Sequence, residues 1–335
     1  MKIDGPFYAQ LNNAATEARR LADIGFDGIY TLEGSSDPFL PLVLASEHAP
    51  ELDIATAIAV AFPRNPSHIA YQAWDLQTYS KGKFSLGVGS QIKPHIEKRF
   101  GLAFDPPAAR MREYILAVKA FFSCWQHGAA LNFEGDYYRH TLMTPMFNPG
   151  PNPYGIPPIM LGAFGPKMTE VAGEVADGFI VHPFNTLPFL RELALPAVTR
   201  GLEKSARARS DFCLQVNAIV ITGSSDEEYR AAEASVKGLL GFYGSTPAYR
   251  PAMDAVGLGH LQPTLNALSK QGKWEELADY INDDFLDAFT TRGRPADIAG
   301  LLKTKYAGLA DRLAIYSPYA ASDDMWRAIV ADLHA

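Results

Sequence analysis

Three polar side chains close apolar, strand-like runs: Glu33 ends the run 26–33, Gln91 the run 84–91 and His182 the run 178–182. A carboxylate or an imidazole so placed can move a proton, and a carboxamide can hold a polar group in position. A second set is made of small residues. Gly89-Ser90 sits at one run's end, and Gly162-Ala163-Phe164-Gly165 lies between another run and a helical pattern that begins at Lys167. Helix N-termini favour anions, and glycine lets them approach the backbone closely. Absences narrow the chemistry further. The eight histidines show no metal-ligand spacing, and there is no nucleophile elbow and no phosphate-binding P-loop. Cys124 and Cys213 are too few for a metal cluster or a disulfide framework, so both are expected to be buried bystanders. A site of apolar and small residues with scattered polar groups implies a cofactor that carries the chemistry.

The elements that must position these groups alternate. Residues 54–61 are apolar nearly throughout, which suits a strand covered on both faces. Asn65 is an N-cap with Pro66 at N1, Ile69, Ala73, Leu76 and Ser80 share a helix face, and Gly82 closes the helix. The run 84–91 completes a strand-helix-strand unit. Upstream, a strand over 1–6, a helix lined by Ala14, Ala18, Leu21 and Ala22, the strand 26–33 and a helix opened by Asp37-Pro38 repeat the pattern. Downstream come a long helix carrying Met111, Tyr114, Ile115, Val118, Phe121, Phe122 and Trp125, a hairpin around Gly135-Asp136, and a loop over 145–158. Strands over 159–162, 178–182, 214–222 and 312–316 then alternate with helices beginning near Lys167, Leu187, Ser225 and Pro295. A final helix carries Met325, Ile329, Val330 and Leu333. Residues 242–294 break the rhythm.

About eight strand-helix pairs predict a (β/α)8 TIM barrel. It forms one domain over 1–335, with insertion segments at about 129–157, after strand four, and 242–294, after strand seven. A doubly wound sheet with a helical second domain is the alternative fold. In a barrel the functional residues belong at the C-terminal ends of the strands. Those ends are Glu33, residues 56–61, Gly89-Ser90-Gln91, Gly162 to Gly165, His182 and Ser317.

The composition, 47% hydrophobic and 20% charged, is that of an ordinary globular chain with a sizeable core. No run approaches the roughly 20 apolar residues of a membrane span, and the N-terminus lacks a basic segment followed by an apolar one. The expected compartment is the cytoplasm. A net charge of −7 without a basic stripe argues against nucleic acid as a partner.

Four stretches carry a resemblance: Ile54 to Pro66, Lys83-Phe84-Ser85-Leu86-Gly87-Val88-Gly89-Ser90-Gln91, Ile159-Met160-Leu161-Gly162-Ala163 and Ala176-Asp177-Gly178-Phe179-Ile180. They resemble the bacterial-luciferase-like superfamily, and within it the branch using coenzyme F420, the deazaflavin hydride carrier. The similarity in order and spacing covers nearly the whole chain. It implies an oxidoreductase that transfers a hydride between coenzyme F420 and an organic substrate. Two alternatives stand beside that one. The first is a two-component monooxygenase using oxygen and reduced FMN from a separate flavin reductase; the second is a non-catalytic flavin- or deazaflavin-binding relative.

For individual residues, the resemblance implies a non-prolyl cis peptide within Thr56-Ala57-Ile58, at a bulge in the third strand that presses on the flavin ring; the small Ala55, Ala57 and Ala59 permit that approach. Gly162 to Gly165 resembles the segment that takes the cofactor phosphate. Gly89 lies beside them, and Ser90 and Gln91 hydrogen-bond the ring edge or substrate, or else cap their loop. Glu33 stands where deazaflavin dehydrogenases of this family often carry a histidine. It is expected either to move the proton or to hold loop backbone. The glutamate of deazaflavin sugar-phosphate dehydrogenases aligns roughly with Ile92, so such a sugar is not the expected substrate. His182 reaches the cofactor tail or substrate, or is structural. Arg64, Lys93 and Lys98 are expected to meet the acidic cofactor tail. The expected partners are a small-molecule substrate and a second copy of the chain in a dimer, with neither nucleic acid nor membrane.

Overall fold

In the computed structural model, which describes residues 1–335, the strand-like runs pair side by side and in parallel until the last meets the first. The strands are β1 (Lys2–Pro6), β2 (Gly28–Thr31), β3 (Asp53–Thr56), β4 (Phe84–Gly89), β5 (Ile159–Ala163), β6 (Gly178–Val181), β7 (Cys213–Ile221) and β8 (Arg312–Tyr316). Lys2 pairs with Arg312 across β1 and β8, which closes the ring and excludes the open, doubly wound alternative. Helices α1 (Ala14–Ile24), α2 (Leu40–His48), α3 (Pro66–Tyr79), α4 (Pro107–His127), α5 (Pro166–Val175), α6 (Leu195–Lys204), α7 (Asp226–Gly244), α8 (Pro295–Tyr306) and α9 (Asp323–His334) connect or close the strands. No helix is long and apolar enough to cross a membrane.

Local chemistry sets the helix ends. The Asn65 side chain accepts the Ser67 N–H at the start of α3, with Pro66 at N1. Asp37 accepts from Phe39 and Leu40 ahead of α2, and Ser225 accepts from Glu228 at the start of α7. Inside the barrel, the N-terminal end is plugged by ions. Arg312 binds Asp4 through both Nε (2.8 Å) and Nη2 (2.5 Å) and reaches Asp53 at 2.8 Å, while Lys2 also holds Asp53 at 2.6 Å. Gly28 makes room for this cluster, since a Cβ there would lie 2.6 Å from Asp4 Oδ1. That end of a barrel serves stability, and chemistry belongs at the other.

Both insertions fall where the pattern breaks. After β4 come α4, a minimal antiparallel pair of Phe133–Glu134 with Arg139–His140, and the loop that returns to β5. After α7, three short helices, Arg250–Asp254, Gln262–Lys270 and Asp283–Phe289, lead to an extra strand, Thr290–Arg292, that pairs in parallel with the end of β7. Cys124 is buried, but Cys213, expected to be so, is only half-buried; the surrounding protein still pushes its thiol up to about 11.

The third strand carries the bulge and the non-prolyl cis peptide that the resemblance implied, although its apolar run alone reads as unbroken. The apolar run 54–61 is not one strand: pairing stops at Thr56, the Ala57–Ile58 peptide is cis, and pairing with β4 resumes only at Ala59–Val60. Thr56 bridges the gap. Its hydroxyl donates to the Gly87 carbonyl at 2.8 Å and accepts the Gly87 N–H at 3.0 Å. Gly87 has to be glycine, because a Cβ would sit 1.8 Å from the Thr56 carbonyl oxygen.

Candidate active site

The bulge is the floor of the C-terminal mouth. The Ile58 side chain lies over the two neighbouring strands, where a Cβ on Gly89 would be 3.0 Å from Ile58 Cδ1 and one on Gly162 would be 2.7 Å from Ile58 Cγ2. These glycines therefore seat the bulge. The Ile58 N–H and the Ala57 carbonyl make no hydrogen bond, so this floor offers free backbone groups. Glu33 clamps it: its N–H donates to the Ile58 carbonyl at 3.2 Å, and Oε2 accepts the Val60 N–H at 2.7 Å and the Arg64 guanidinium at 2.6 Å.

One wall is the start of α5. Gly165 precedes Pro166 at N1, no side chain caps the helix, and the N–H groups of Phe164, Gly165 and Met168 have no acceptor. A Cβ on Gly165 would meet nothing within 4 Å. Uncapped N–H groups and the positive end of the dipole suit a phosphate. Lys167, exposed and without an ion pair, adds a positive charge there.

The adjoining wall is aromatic. From the end of β5 round to β1, ring centroids follow one another: Phe164 to His182 at 5.9 Å, His182 to Tyr249 at 4.4 Å and to Tyr243 at 5.0 Å, and Tyr316 to Tyr8 at 6.4 Å. The Tyr243 and Tyr316 hydroxyls, 3.3 Å apart, join the two halves. His182 Nδ1 accepts the Phe184 N–H at 3.1 Å, and burial pushes the imidazole down to about 3. Burial also holds the Tyr249 phenol up at about 12 and Tyr243 well above its ordinary value.

Set against the sequence reading, Ala57, Ile58, Gly89, Phe164, Gly165 and His182 come together around this mouth. Several others do not offer what was expected of them. Thr56 is fully buried and spent on Gly87. Ala163 belongs to the core, because alternation along β5 turns it away from Gly162 and Phe164. Gly162 faces Ile58, and the N–H groups without acceptors lie further on, between Phe164 and Met168. Ser90 donates to the Gln91 carbonyl at 3.0 Å and Gln91 folds back on the Ile92 N–H at 3.0 Å, which is loop capping. Arg64 is engaged by Glu33 and, at 3.6 Å, by Asp37, while Lys93 pairs with Asp105 and Glu97; of the three cations expected at the tail, Lys98 alone lacks an ion pair.

Tyr8, Tyr243, Tyr249 and Tyr316 were missed. The signal for Tyr316 was present: alternation from Arg312, which points into the barrel, puts Tyr316 inside and Ser317 out. Tyr243 and Tyr249 lie within residues 242–294, where the pattern breaks, and left no such trace. No group of three or more His, Cys, Asp or Glu side chains is placed to hold a metal ion.

Comparison with known proteins agrees with this architecture. A protein of Mycobacterium tuberculosis whose function is uncharacterised is 47% identical over 99% of this chain and 97% of its own length. A putative coenzyme F420-dependent oxidoreductase of the same organism is 28% identical, over 79% of each chain. The structure of a coenzyme F420-dependent tetrahydromethanopterin reductase from Methanopyrus kandleri superposes with a TM-score of 0.81 at 18% identity, covering 99% of this chain and 97% of that one. The luciferase-like monooxygenase family model matches residues 4–312, and the chain belongs to that family.

Proposed function

We propose that the chain is an oxidoreductase that transfers a hydride between coenzyme F420 and a small organic molecule. The supporting observation is the pairing of two sets of unengaged backbone groups at one mouth: Ile58 on the floor, and Phe164, Gly165 and Met168 at the start of α5. They fit a flat ring pressed on the bulge and a phosphate on the helix. The relative named a putative coenzyme F420-dependent oxidoreductase favours the deazaflavin. Bound there, the deazaflavin supplies the carbon that gives or takes the hydride. Glu33 positions the floor through Val60 and Ile58, Lys167 adds charge beside the phosphate, and His182 faces the substrate side.

The test is a fluorescence titration with coenzyme F420 alongside FMN. Coenzyme F420 should bind more tightly, and FMN binding about tenfold tighter or more, a difference of roughly 1.4 kcal/mol, would overturn the reading. The second reading, a monooxygenase using reduced FMN from a separate reductase, draws on the description of the family. It would show as substrate-dependent oxygen uptake with reduced FMN.

A further inference from the structure

On the aromatic wall, His182 carries a ring nitrogen that nothing in the fold engages. His182 Nδ1 accepts a backbone N–H from Phe184, which requires that nitrogen to be unprotonated; in the neutral ring the proton is then on Nε2. Nε2 makes no hydrogen bond within the protein, and with the residue only half-buried it stays open to the mouth. The titratable groups facing the ring are the Tyr243 and Tyr249 phenols, both kept protonated by burial, and no carboxylate is among its neighbours. Surroundings of that kind keep the imidazole neutral, as does the loss of solvent that pushes it down to about 3. A neutral imidazole whose Nδ1 is occupied can donate from Nε2 but cannot accept there.

The rest of the wall is uncharged. Phe164 stacks on Phe189 at 4.7 Å and leans on Tyr249 at 4.7 Å, and the nearest cation in the sequence, Arg250, is engaged by Asp254 at 3.3 Å. Away from the α5 N-terminus and Lys167, a carboxylate or phosphate at the His182–Tyr249 end would lose water and find no charge to meet it. A flat, uncharged ring would instead meet an apolar, aromatic surface.

We propose, resting on the oxidoreductase reading above, that His182 Nε2–H hydrogen-bonds the oxygen of an uncharged aryl ketone whose ring lies along Phe164 and Tyr249. His182 acts as a donor that stabilises negative charge on oxygen, a role a neutral imidazole can fill, and not as the source of the proton. In the reducing direction the hydride forms a C–H bond at the carbonyl carbon, the C=O π pair moves to oxygen, and that oxygen takes its proton from water. The reduced deazaflavin is oxidised and the carbonyl compound is reduced to the alcohol.

Two measurements test this without a cofactor. Nitrogen NMR of the wild-type protein, with His182→Gln to assign the signal, should show the Nε2–H tautomer with no titration between pH 5 and 8; an Nδ1–H tautomer, or titration in that range, overturns the proposal. Acetophenone, titrated into the wild type and into His182→Phe with infrared detection, should show its carbonyl band shifted to lower frequency only in the wild type. Affinity should be roughly tenfold weaker in the variant, as expected for one lost hydrogen bond. No binding of acetophenone, equal binding by both proteins, or benzoate binding as tight as acetophenone overturns it. Failure to bind coenzyme F420 would overturn the proposed function and leave both readouts standing.

Discussion

Glu33 Oε2 accepts the backbone N–H of Val60 at 2.7 Å, so a side chain from the end of β2 fixes the point where β3 resumes after its bulge. The same oxygen holds Arg64. A carboxylate with two donors on one oxygen is placed to support backbone, which was one of the two roles its position allowed.

Replacing Glu33 with Gln should therefore act on structure first. The amide keeps an acceptor for Val60 but removes the charge that partners the largely buried Arg64, and a cost of about 1–3 kcal/mol is expected. Thermal melting should fall by several degrees and cofactor binding should weaken, with both limbs of the pH-rate profile retained. An unchanged melting temperature, together with a turnover reduced by about two orders of magnitude, would instead mark Glu33 as the proton carrier.

Gly162 and Gly165 should respond oppositely to alanine. At 162 the new methyl would collide with Ile58 at 2.7 Å, and overpacking of this sort costs roughly 1–3 kcal/mol. At 165 it would meet open space, at a backbone φ of −71° that any residue adopts. Chemical denaturation of both variants reads the contrast. Gly165→Asp should fold normally and lose cofactor affinity, because a carboxylate would stand beside the α5 N–H groups.

The ion cluster at the closed end of the barrel should be intolerant of losing its cation. Arg312→Leu would leave Asp4, 4% exposed, without a partner, and removing one member of a buried pair costs about 3–5 kcal/mol. Urea unfolding should show the loss, with cofactor affinity in the surviving folded fraction unchanged.

Stability should fall on the acid side through His182. The folded ring resists protonation until about pH 3, whereas in the unfolded chain it takes a proton near 6.5. As pH drops below 6.5 the unfolded state binds the proton and the folded state does not, so this contribution is present above 6.5 and is lost steadily toward 3. Between pH 7 and pH 5 the wild type should lose up to about 2 kcal/mol more than His182→Phe, measured by urea unfolding at each pH.

The barrel was legible because apolar runs, caps and glycines agreed at every level: Asn65-Pro66 starts α3 as read, and β8 and α8 keep their expected limits. The bulge was not legible from residues 54–61 themselves, whose apolar pattern fits an unbroken strand; the position of the break came from the resemblance. Hydrogen-bond allegiance was hidden too. Nothing in the letters tells that Thr56 spends its hydroxyl on Gly87 or that Gln91 folds onto Ile92. The aromatic wall escaped for another reason: Tyr243 sits at the very end of α7, where the insertion takes over, and Tyr249 precedes insertion helices of five to nine residues that are too short to show a period.

The mouth is divided in kind. Its floor is backbone, enforced by glycines 87, 89 and 162, where any added atom strikes a neighbour, while the facing wall is made of side chains that come partly from an insertion tied to the barrel by the short strand Thr290–Arg292. Randomised libraries should accordingly find few survivors at the three glycines and many at Tyr8, Tyr243, Tyr249 and Tyr316. Descendants of such a chain can diverge in what they act upon along one half of the opening, while the other half, frozen by its own lack of atoms, keeps the ancestral seat.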